Sequence, residues 1–250
     1  MRAISPFLLL WLASAAVGFS DHDPGESPVH WFARHGIPLT HDGLIAALKN
    51  PDGLVRRNAA QQLSVTNDKD AIPAIRDAAA RDPIFSNRAN MAYDLARLGD
   101  SSGVDFLKRT CSDGSITAYY RLEAADEMLY LHSDACFPDV LPILQSSTDA
   151  GVVVRALEIC ANAKHQLEDE GNPNTPPDKQ RDRLVLELVA RRVSDPDDSV
   201  RAAASDILAK LGDSSQAYIL EDAIAQETDE GTRRLLQADL DILLKKRPAN

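Results

Sequence analysis

Apolar residues recur along most of the chain at intervals of three and four, interrupted by short acidic turns, and strand-like alternation is nowhere sustained. In DPDDSVRAAASDILAKLGDSS, Asp195 to Ser215, an acidic turn precedes Arg201, alanines and Leu208 mark one helix face, and Gly212 marks a stop. Aligning the chain on that arginine yields five more copies: NPDGLVRRNAAQQL at Arg56, DPIFSNRANMAYDL at Arg88, SITAYYRLEAADEM at Arg121, DAGVVVRALEICAN at Arg155 and ETDEGTRRLLQADL at Arg233. Successive arginines stand 32, 33, 34, 46 and 32 residues apart.

Six residues before each arginine stand Asn50, Asp82, Ser115, Asp149, Asp195 and Glu227, all hydrogen-bond acceptors suited to turns and helix starts. Pro51, Pro83 and Pro196 follow in three copies and end the preceding helix. Three and seven residues after the arginine lie Ala59 and Leu63, Met91 and Leu95, Ala124 and Met128, Ala204 and Leu208, Leu236 and Leu240. Those offsets share one helix face and predict a core stripe. The fourth copy is expected to break the stripe, at Glu158 and Asn162. Shorter periodic segments begin at Leu44, Ala71, Gly103, Phe137, Arg183 and Gln216, so each unit reads as two antiparallel helices. LGDSS occurs twice, and Gly99 and Gly212 are expected to take left-handed helix-ending conformations. A helix pair repeating every 32 to 34 residues predicts an all-α stacked solenoid of about six pairs.

The pattern D-P-D-x-x-V-R-x-A-A-A followed by L-G-D resembles HEAT repeats, in particular the short bacterial HEAT-like kind. The resemblance runs from about Leu39 to the C-terminus. It implies an α-α superhelix of the armadillo-like type, with arginines and turn acids forming a ladder between neighbouring units. In this sequence the ladder would comprise Arg56, Arg88, Arg121, Arg155, Arg201 and Arg233 with Asp82, Asp149 and Asp195.

The long fourth interval contains EDEGNPNTPPDKQ, Glu168 to Gln180, whose glycine, asparagines and prolines predict a loop inserted at 168–180. Insertions in repeat arrays often carry binding, so Glu158, Asn162, Glu168, Asp169, Asn172 and Asn174 are the candidate partner-binding residues. Residues 1–20 have the layout of a cleaved signal peptide, with Arg2, an apolar run from Phe7 to Leu12 and small residues beyond. An exported location, periplasmic or extracellular, is therefore expected, with no membrane span in the mature chain. Residues 21–39 read as a tether in which Trp31 and Phe32 cover the first unit, leaving 40–250 as the repeat domain.

The 250-residue chain is 44% hydrophobic but only 5% aromatic, which suits helices packed closely through Leu, Val, Ile and Ala. A net charge of −11 argues against nucleic acid as a partner. Export permits disulfides, yet Cys111, Cys136 and Cys160 allow one internal bridge at most, and three separate buried thiols are an equal alternative. His22, His30, His35 and His41 match no metal-ligand spacing, and His132, Asp134 and Cys136 lack a fourth ligand. GDSSG at Gly99 to Gly103 matches a nucleophile motif only formally, because it joins two helices and its twin reads GDSSQ. No catalytic residue, metal site or cofactor is therefore assigned. The expected function is an exported, non-catalytic scaffold that binds another protein through its solenoid surface. The alternatives are a ligand- or metal-binding carrier, a lyase-like HEAT enzyme, or a subunit of an envelope complex.

Overall fold

The computed structural model describes residues 27–164 and 179–246. Among these the chain forms thirteen α-helices and no strand. A short helix α1 (Pro28–Arg34) precedes six pairs: α2 (His41–Ala47) with α3 (Gly53–Val65), α4 (Ile72–Arg81) with α5 (Phe85–Arg97), and α6 (Ser101–Ser112) with α7 (Ala118–Tyr130). The remaining pairs are α8 (Phe137–Ser146) with α9 (Ala150–Lys164), α10 (Lys179–Arg192) with α11 (Asp198–Leu211), and α12 (Ala217–Gln226) with α13 (Glu230–Leu243). Lys179 and Gln180, expected in the inserted loop, already belong to α10.

The acidic turns start the second helix of a unit in two steps. The side chains of Asn50, Asp82, Asp195 and Glu227 accept from the backbone N–H two residues on, at 2.8, 2.9, 3.1 and 2.9 Å. Asp52, Asp197 and Asp229 then cap the helix by accepting from backbone N–H groups of its first turn. Gly99 takes the expected left-handed conformation, φ +91°, at the end of α5. Gly212 does not: its φ is −81° and its ψ −175°, because the chain runs extended into a capping box closed by Asp213 and Gln216.

The second helices form one continuous layer, α3 against α5, α7, α9, α11 and α13 in turn, whereas of the first helices only α8 and α10 pack together to any extent. Helices that converge line the inside of a curved array, and those that diverge line the outside. Small buried residues four positions after the arginine, Ala60, Ala92, Ala125 and Ser205, let the inner helices approach closely. The residues three and seven after it are buried in five units.

The fourth unit departs from that register by one residue. Glu158 is exposed and Asn162 only half-buried, while Ile159, Cys160 and Ala163 are buried. Counted from Ala156, these three fall at offsets three, four and seven. The core stripe is therefore intact, and the expected break at Glu158 and Asn162 is corrected to a shift. At the helix start Asp149 caps α9 directly, its carboxylate accepting from the Val152 N–H at 3.0 Å, and the helix begins earlier relative to its arginine than in the other units. Arg155 consequently stands one residue off the row of rung arginines.

The ladder forms in full at two junctions. Arg56 donates to both carboxylate oxygens of Asp82 in the next unit, at 2.8 and 2.9 Å, and to the Asn50 and Pro51 carbonyls of its own turn. Arg201 grips Glu227 at 2.6 and 2.9 Å and the Asp195 and Pro196 carbonyls in the same way. Each arginine thus ties its own turn to the next one, through a bidentate pair whose carboxylate is buried. Arg233 holds its own Glu227 carbonyl.

Between these ends the expected ladder is corrected. Arg88 lies over the Phe85 ring at 4.9 Å, the next turn offering Ser115 in place of an acid. Arg121 donates to the Cys111 carbonyl at 2.8 Å and approaches Asp139 of α8 at 3.7 Å, not Asp149. Arg155 turns to Asp126 and Glu158, and Asp195 is instead engaged by Arg192, which also holds the Leu144 and Ser147 carbonyls.

Trp31 and Phe32 of α1 are fully buried against Leu44, Ala47, Leu48 and their neighbours in the first two units. Phe32→Ala should cost about 3–5 kcal/mol of stability in urea unfolding, the usual penalty for truncating a buried aromatic. Arg56→Ala leaves the Asp82 carboxylate buried and unpaired and should cost about 3 kcal/mol. Arg233→Ala, whose side chain is 43% exposed, should cost far less.

The Glu227 carboxyl is held at about 2, first by the Arg201 hydrogen bonds and then by the Asp229 N–H. A depressed carboxyl contributes stability that is present above its unfolded value, about 4, and lost as pH falls through about 2. Acid unfolding of Glu227→Gln should therefore lack the part of the transition that Glu227 supplies in that window.

Candidate functional site

The solvent side of the inner layer gathers a group of charges on α5, α7 and α9. Offsets five and six from the arginines place Asp94 on α5 and Asp126 and Glu127 on α7, with Glu123 one turn earlier. Glu123 accepts from the Ser86 hydroxyl of α5 at 3.0 Å. Asp126 accepts from Arg155 of α9 at 2.6 Å, and Arg155 reaches its own Glu158 at 3.2 Å. Asn162 stands near Asp126 and favours its ionised form. Arg57 of α3 donates to Asn90 at 3.1 Å and lends positive potential to Asp94, Glu123 and Glu127. Tyr93 and Tyr130 meet edge to face at 6.4 Å on the same two helices.

Burial and mutual repulsion make these carboxyls reluctant to ionise. Burial raises Asp94 to about 7 against the pull of Ser64, Arg97 and Arg57. Glu127 is raised to about 8, first by burial and then by Asp126, Asp94 and Glu123. Glu123 and Asp126 are also raised, burial again leading. The arrangement is acceptor-rich and short of cations, so it favours a group that brings positive charge.

Of the residues singled out from the sequence, Glu158 and Asn162 are brought together here with Arg155 and Asp126. Glu168, Asp169, Asn172 and Asn174 lie outside the described residues, as do residues 1–20 and His22. Asp94, Glu123, Asp126 and Glu127 were not singled out, because acids at offsets two, five and six lie opposite the core stripe and read as solvated positions until the helices are stacked.

The remaining motifs are absorbed by the fold. In GDSSG, Asp100 caps α6 through the Ser102 N–H at 3.0 Å, and the buried Ser102 hydroxyl has no hydrogen-bond partner among the described residues. A Cβ on Gly103 would sit 2.0 Å from the Ala92 carbonyl, so the final glycine serves the close approach of α6 to α5. Cys136 is bonded to Cys111, S–S 2.06 Å, which removes it as a thiolate ligand from His132 and Asp134; Cys160 is a buried free thiol. The alternative of three separate thiols is thereby set aside. His41 pairs with Asp68 at 2.7 Å and His35 with the Trp31 carbonyl at 2.7 Å. Among the described residues no three His, Cys, Asp or Glu side chains are gathered to hold a metal ion, and no helix is long and apolar enough to cross a membrane.

A carboxyl raised on folding contributes stability that is fully present below its unfolded value, about 4, and is lost as pH rises through the folded one. For Asp94 and Glu127 that loss falls near pH 7 and 8. The melting temperature should therefore rise as pH is lowered from 8.5 to 6, at about 2–4 °C per kcal/mol for a chain of this size. The double variant Asp94→Asn, Glu127→Gln should flatten that dependence in calorimetry across the same range.

The comparisons agree with the helix-pair geometry. No curated protein matches the chain. Among solved structures the chain is similar to the complex of CpcE and CpcF of phycocyanin lyase from Nostoc sp. PCC7120, with 19% identity, 98% of this chain and 96% of that chain covered, and a TM-score of 0.39. The expectation of a non-catalytic chain is corrected: it rested on the helical-repeat architecture alone, which does not decide whether a chain is catalytic. The activity of that complex is not transferred to this chain. The family model described as HEAT repeats matches residues 41–129, which span α2 to α7. Residues 41–129 thus match HEAT repeats, and the described helices continue the same helix-pair architecture as an all-α superhelix to α13.

Proposed function

We propose that the chain is an exported helical scaffold that binds another protein along the inner layer of α5, α7 and α9, through a basic surface of that partner. The observation that carries the reading is the group of Asp94, Glu123, Asp126 and Glu127, two of them raised to about 7 and 8. A partner's lysines or arginines would offset the repulsion that adds to burial at Glu123, Asp126 and Glu127, and exposed Glu158 lies at the edge of the same surface. Export is supported by the signal-like order of residues 1–20 and by the Cys111–Cys136 bridge, which belongs in an oxidising compartment.

Proximity labelling by the full chain in the exported compartment should enrich one protein with a basic surface. Its binding should weaken about tenfold or more between 50 and 200 mM salt and be lost with Glu123→Lys, Glu158→Lys. Recovery of the same proteins by the double variant, or salt-independent binding, would sink this reading. Mass spectrometry of the exported chain should place its first residue just after one of Ala15 to Ser20.

A further inference from the structure

The register shift in the fourth unit leaves a void. Offset seven carries Leu63, Leu95, Met128, Leu208 and Leu240 in the other units, all buried, but Ala163 in the fourth. Beside Ala163 opens a cavity of about 200 Å³ where the start of α8, the end of α9, the start of α10 and the end of α11 meet. Its apolar wall is made by Phe137, Cys160, Ala163, Val185, Leu186 and Leu211. Arg181, on the same cavity, is itself nearly buried, lying over the Phe137 ring at 5.8 Å and against Asp182 at 3.3 Å.

We propose that this cavity is a binding site for a small neutral hydrophobic molecule about one ring in size. An apolar core void of ~150 Å³ takes up benzene, and a partly enclosed pocket of this size with a mainly apolar lining offers a comparable site to such a ligand. Water entering it would find the Arg181 and Asp182 groups already turned to one another, with Asp213 as a further polar group at the α11 end of the lining. Cores are packed without voids where the sequence permits, and the other five units supply the missing side chain. The lining disfavours an anionic ligand, since a negative charge would be desolvated against Arg181 already paired with Asp182 and beside the Asp213 carboxyl. Cys160 contributes a protonated thiol, its ionisation pushed up to about 12 by burial, and so serves as wall, not as nucleophile. The site lies apart from the acidic inner surface and does not depend on the partner proposed there.

Indole is a suitable probe. It should raise the melting temperature of the unaltered full chain by about 2 °C or more at saturation, since a ligand that binds only the folded state stabilises it by mass action. Ala163→Leu should raise the melting temperature by itself and remove the response to indole. No response in the unaltered chain, or an equal response in Ala163→Leu, overturns the proposal. Should Ala163→Leu fail to fold, the rate at which iodoacetamide modifies Cys160 in the unaltered chain decides. Slowing by indole supports the site, and an unchanged rate overturns it.

Discussion

An inner helix of this chain has two flanks to bury, and no single helix pair can cover both. Each of α5, α7, α9 and α11 is therefore held between two neighbours, and small residues at one repeated offset set how closely those neighbours come. Everything else in the array adjusts to that contact. The turns are short and acidic because they must start the next inner helix at the right height. The rung arginines lie where one turn passes over the next, and they convert two buried carboxylates from a cost into a joint. At the first unit α1 supplies the missing neighbour with Trp31 and Phe32.

The same stacking produces the acidic surface. Side chains at offsets five and six lie on the solvent side of the inner layer, where neighbouring helices bring them together without regard to their separation in sequence. Asp94 and Glu127 are 33 residues apart, yet the Asp94 charge helps to keep Glu127 protonated. The chemistry of the surface is thus a property of the curved layer and not of any one unit.

The six pairs, the order of the helices and the end rungs were legible because the arginine, the turn acid and the alanines recur with nearly constant spacing. The fourth unit was misread because Arg155 and Asp149 imitate the pattern one residue out of place, whereas the buried Ile159, Cys160 and Ala163 carry the true register. The disulfide was open from sequence, since three cysteines do not choose a pair. The charged group on α5, α7 and α9 was not legible either, because single acids in amphipathic helices look like ordinary solvated positions until the helices are stacked.

The joints between units are of different kinds. The first and last junctions are ionic clamps, Arg56 to Asp82 and Arg201 to Glu227. Between α6 and α8 the Cys111–Cys136 bridge and Arg121 join the third unit to the fourth, where the regular clamp is missing. Low pH therefore acts on the clamps at the two ends, while a reductant acts on the bridge at the centre. The two ends and the middle of the array thus answer to different variables of their surroundings.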